Sequence, residues 1–117
     1  MAITSDRYTV ITLSSGLTLT QQFAAAQNTV SPGEIETKDL TTGFNALTVP
    51  TAGGATAKAV TIIPPAGNAQ TITLKGVTGD TGVALHLTDP TTISLGASPS
   101  IGLTVGGNIT GVKFIWT

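Results

Sequence analysis

The chain has 117 residues, and only eleven of them are charged, five basic and six acidic; this 9% compares with the ~25% usual in soluble domains, and the net charge is −1. Basic residues scattered at Arg7, Lys38, Lys58, Lys75 and Lys113 make no phosphate-tracking stripe, which argues against nucleic acid as a partner. No apolar run approaches the ~18–20 residues of a membrane-spanning helix, and without cysteine there is no disulfide, zinc knuckle, iron–sulfur cluster or thiol nucleophile. Threonine, stiff at χ1 and at home in strands, occupies 23 positions, and Gly and Pro together 20. Val, Ile, Leu and Phe sum to 31, enough for a core, and the length fits one domain over residues 1–117.

In chain order, Met1–Arg7 lacks the basic and apolar regions of a secretory signal, so synthesis in a cytoplasm is expected, and residues 1–8 read as a candidate N-terminal arm. Thr9–Leu13 and Leu17–Thr20 alternate about Ser14-Ser15-Gly16 and predict a hairpin. Phe23–Gln27 is too short to hold a helix and reads as loop or a single turn. Residues 28–43 carry Glu34, Glu36, Lys38 and Asp39, four of the eleven charges within six positions. Two readings stand level: a long charged loop or surface arm, or an edge strand from Glu34 to Leu40 guarded by its charges against stray pairing. Strand-like runs follow at 44–49, 59–63, 70–77, 83–87, 92–95, 101–105 and 109–116, separated by Gly-, Pro- and Asp-containing turns. The common spacing is 8–13 residues, and no helix-length amphipathic segment exists to cross over a parallel sheet. The pattern predicts an all-β antiparallel β-sandwich or β-barrel of about eight or nine short strands.

In the last run, Val112, Phe114 and Trp116 share one face, and Lys113 and Ile115 the other. Ile109 falls out of phase with the first set, unless a bulge at Gly111 moves it onto the Val112 face. Lys113 and Ile115 then point outward, and with Glu34, Glu36, Lys38 and Asp39 they form the candidate assembly contacts.

No chemistry is legible. His86 is the only histidine, in Val83-Ala84-Leu85-His86-Leu87, where Leu85 and Leu87 take the core face and His86 the other; no triad or metal partner stands at strand-compatible spacing. Glu34, Glu36 and Asp39 are the only carboxylate cluster, contain Lys38, and lack a calcium-loop pattern. Asp80 and Asp89 read as turn residues, and the Gly-Gly pairs lack the Lys-Ser or Lys-Thr of a phosphate loop. No catalytic residue, metal or cofactor is therefore expected. Alternate threonines at 18 and 20 and at 71 and 73 are two unaligned copies, too few for an ice-ordering array.

Outward positions filled by Thr, Ser, Ala, Gly and Gln suit burial in permanent contacts, because no charge must be desolvated. Gly-Val-Thr-Gly-Asp-Thr-Gly-Val-Ala-Leu, followed by Ile-Gly-Leu-Thr-Val-Gly-Gly-Asn-Ile-Thr-Gly-Val-Lys-Phe-Ile-Trp, resembles small virion structural proteins of tailed bacteriophages over roughly residues 70–117. That resemblance implies a non-enzymatic capsid decoration (cement) protein of jelly-roll or β-tulip type, assembled in the host cytoplasm. It further implies a homo-oligomer, a trimer favoured, clamping major capsid protein or another virion protein, with no individual residue carried over. The alternative expectation is a carbohydrate-binding or adhesive β-module of tail-fibre or fimbrial type.

Overall fold

The computed structural model describes residues 3–5, 8–12, 18–22, 28–30, 34–52, 55–96 and 100–117. Its strands are β1 (Ile3–Ser5), β2 (Tyr8–Thr12), β3 (Thr18–Gln22), β4 (Asn28–Val30), β5 (Glu34–Leu40), β6 (Gly43–Ala46), β7 (Thr51–Ala52), β8 (Ala55–Thr56), β9 (Ala59–Ile63), β10 (Ile72–Lys75), β11 (Val83–Ala84), β12 (Thr91–Ser94), β13 (Gly102–Val105) and β14 (Ile109–Trp116). Among the described residues there is no helix, and so none long and apolar enough to cross a membrane.

Eight of these strands build a β-sandwich. One antiparallel sheet has the order β12-β9-β14-β5 and the other β11-β10-β13-β6. The pairings are nested: β5 with β14, β6 with β13, β9 with β12 and β10 with β11, first with last as in one long hairpin folded over. Additional pairing of β9 with β14 and β10 with β13 closes each half into four strands. That is the strand order of a jelly roll, eight strands in two packed sheets. The short hairpin β7–β8 lies in the connection from β6 to β9.

Alternation explains which residues fill the space between the sheets. Val60 and Ile62 of β9, Ile72 of β10, Leu103 and Val105 of β13, and Val112, Phe114 and Trp116 of β14 are all buried. The Phe114 and Trp116 rings, two residues apart on one face, lie with centroids 6.4 Å apart and nearly parallel. Gly102 of β13 is glycine for a packing reason: a Cβ there would collide with the Phe44 ring and the Asn45 carbonyl on the neighbouring β6.

The expected bulge is present. Ile109 faces Leu40 and Val112 faces Lys38, so two residues of β14, Thr110 and Gly111, answer one of β5, Asp39. Gly111 supplies the irregularity with φ of +81°, a conformation costly for any residue with a side chain. The shift brings Ile109 into the core beside Val112, both buried.

Of the two level readings of residues 34–40 the edge strand from Glu34 to Leu40 holds and the loop does not, because β14 supplies a pairing partner from Glu34 to Leu40. One expectation needs correction. The run at 83–87 shortens to Val83–Ala84: Leu85 still donates its N–H to Ile72, but the chain then turns at His86, and Leu87 is exposed while Leu85 only partly packs on the core.

Before the sandwich, β1 pairs with β4 and β2 with β3, nested in the same way; these two two-stranded pieces are called the ribbon. The β2–β3 hairpin is the predicted one, with Ile11 opposite Leu19; its turn at 14–16 and the segment 23–27 lie outside the described residues. Of the candidate arm at residues 1–8, Ile3–Ser5 form β1. No strand pairing joins the ribbon to either four-stranded sheet among the described residues.

Candidate assembly surface

The six candidate contact residues come together on two adjoining strands, β5 and β14, but not on one face. Exposure alternates along β5 with an inverted sense. Glu34, Glu36 and Lys38 are half-buried on the core-facing side, in phase with buried Leu40, while Ile35, Thr37 and Asp39 face outward. Ile35 is 59% exposed, among the most exposed large apolar side chains described.

Two of the three inner charges, Glu36 and Lys38, have a side-chain partner. The buried Trp116 indole donates its Nε1–H to Glu36 Oε1 at 3.0 Å, satisfying the one polar atom of a side chain that is otherwise removed from water. Lys38 Nζ lies 3.8 Å from the same carboxylate oxygen, a long and partly exposed ion pair of little energetic consequence. Asp39, on the outer side, accepts the Gly111 N–H at 2.9 Å. This donor sits at the bulge, where an extra residue leaves the ladder, so Asp39 satisfies backbone that the irregularity frees.

The outer face of the β12-β9-β14-β5 sheet holds the rest. Ile115 stands between Ile35 on β5 and Thr61 on β9, and Thr61 hydrogen-bonds Thr92 on β12 through hydroxyls 2.9 Å apart. The next row runs Thr37, Lys113 and Ile63. Lys113 is exposed and Ile115 partly covered, as their phase predicts. Thus the face carries isoleucine and threonine, with Lys113 and Asp39 as its charges. Sequence reasoning missed Ile35, yet a signal existed: Ile35 and Leu40 have opposite parity, so an unbulged strand cannot bury both.

From Tyr8 through Gly33 no residue carries a charge.

The remaining candidates for chemistry are spent on turns. His86 Nδ1 accepts the N–H groups of Thr88 at 3.2 Å and Asp89 at 2.9 Å, which places the ring proton on Nε2 and makes the imidazole a cap for its own turn. Asp89 Oδ2 lies 3.5 Å from the same nitrogen, and both side chains are well exposed. Asp80 accepts the N–H groups of Gly76 and Val77, both at 3.0 Å, in the predicted turn role. Among the described residues no three His, Asp or Glu side chains converge. A shallow groove of about 320 Å³ beside Phe44, Leu47, Val77 and Ile101 is lined without any titratable side chain.

Comparison with protein-family models, with curated proteins and with solved structures finds no match to this chain.

Proposed function

We propose that the protein is a non-enzymatic structural component of a phage virion, a capsid decoration protein that stabilises the head by bridging capsid subunits. The observation that carries this reading is the ribbon formed by the pairs β1–β4 and β2–β3. Each piece is two strands wide, the sequence from Tyr8 to Gly33 bears no charge, and neither piece pairs with a four-stranded sheet among the described residues. Isolated two-stranded ribbons are marginal in water, and an uncharged pair of open edges invites association. Such an element gains its stability when a neighbouring subunit covers it. The jelly roll then serves as the rigid body and the ribbon as the arm, and contacts that exist only in the mature shell stabilise that shell by mass action.

The adhesive alternative draws less support. Glycan sites use aromatic platforms, whereas Trp116 and Phe114 are fully buried and Phe44 lies against Gly102. Mixing the purified protein with expanded shells stripped of surface proteins tests the reading: saturable, stoichiometric rebinding is expected, and failure to rebind, together with binding on a glycan array, would replace it with the adhesive one.

A further inference from the structure

We propose that β5 is a self-pairing edge: two copies of this chain join antiparallel along Glu34–Leu40 about a two-fold axis through Thr37, fusing two four-stranded sheets into one of eight. The inference goes beyond the virion reading and does not depend on it.

The first support is position. Seven residues long, β5 lies at the end of its sheet, and no strand pairs with its outer side among the described residues. An edge of this length is a ready template for strand addition. The second is charge. Inward-facing charges ordinarily defend an edge, because an incoming strand must accommodate them. Here one register pairs opposite charges without setting any like charges face to face.

With Thr37 opposite Thr37 of the second copy, Glu36 stands opposite Lys38 and Lys38 opposite Glu36, both on the inner side. Moving the axis to Glu36 pairs Glu34 with Lys38 on either side but sets two Glu36 carboxylates face to face between them, and moving it to Lys38 sets two ammonium groups face to face with no opposite charge to offset them. Registers displaced by one residue would join the inner face of one sheet to the outer face of the other. Cross-strand opposite charges favour pairing and like charges oppose it. The same three side chains that repel a stray strand therefore select a copy of themselves. Glu36 retains its Trp116 bond in this arrangement, and Lys38, held only by a 3.8 Å contact within its own strand, gains a second carboxylate. Ile35, 59% exposed on the free chain, comes to lie within the fused sheet.

The chain has no cysteine, so one introduced thiol per copy reports the register. Directly opposed residues of antiparallel strands have Cα atoms roughly 4.5–5.5 Å apart, within disulfide reach, whereas positions two residues off the axis are too distant to link with themselves. Thr37 and Ile35 are both exposed, so neither replacement disturbs the core. Under mild oxidation Thr37→Cys is expected to cross-link into covalent dimers and Ile35→Cys to remain single. By sedimentation velocity the parent chain is expected to be dimeric at micromolar concentration. Lys38→Glu, which leaves the Trp116 partner intact, should weaken that dimer about tenfold or more, because two attractive pairs become two repulsive ones. A monomeric parent, a Lys38→Glu protein as dimeric as the parent, or Ile35→Cys cross-linking as readily as Thr37→Cys would each overturn the proposal.

Discussion

Strands β5 and β14 pair with each other along one edge of a single sheet, and β5 and the part of β14 beyond its bulge both alternate, yet they use the alternation in opposite ways. On β14 beyond the bulge the inward residues are Val112, Phe114 and Trp116, with no exposed area. On β5 the inward residues are Glu34, Glu36 and Lys38 followed by buried Leu40, and the isoleucine faces out. The difference shows that period two identifies a strand without saying which side is core. That side is decided by the neighbours: β14 lies between β5 and β9, whereas β5 has a strand neighbour on one side only among the described residues. At the rim of a sandwich, long charged side chains can cover the core with their stems and keep their heads near water. One of those heads also satisfies the buried indole.

The contrast can be broken most severely on the β14 side. Trp116→Ala removes a fully buried indole and leaves Glu36 without its donor, so a loss of about 3–5 kcal/mol is expected in urea unfolding. Gly111→Ala has room for the methyl group but must hold φ of +81°, and about 1–2 kcal/mol should be lost. Asp39→Ala strands the Gly111 N–H at the same bulge, with an expected loss of roughly 0.5–1.5 kcal/mol by the same measurement. Ile35→Thr sharpens the comparison from the other side. Measured on monomeric Lys38→Glu protein, it should change unfolding stability by no more than about 0.5 kcal/mol, because the isoleucine is already in water.

Much of the sandwich was legible because its signals are local. The residue ranges expected for β9 and β14 are the observed ones, bounded by Pro64 and by Gly106-Gly107-Asn108. The bulge at Gly111 followed from a phase conflict between Ile109 and Val112. Short pairings of distant segments were not legible. β1 and β4 contribute three residues each, some 25 positions apart in sequence, too few for a periodic pattern to announce either. The assembly surface was half legible: charge density drew attention to Glu34–Asp39, but the outward isoleucine required knowing that Leu40 takes the core side. Leu87 failed for a related reason, because the turn capped by the His86 ring carries it away from the sheet that its phase suggested.

The outer face of the β12-β9-β14-β5 sheet carries threonine and isoleucine where an isolated soluble domain would carry Lys or Glu, and the sequence of the ribbon from Tyr8 onward bears no charge. Such surfaces are suited to a chain that works in an assembly. Light scattering on the purified protein, alone and with expanded phage shells, tests this most directly. The account predicts a species larger than one 11.7 kDa chain and saturable uptake onto the shells. A strict monomer that leaves the shells unchanged would contradict it.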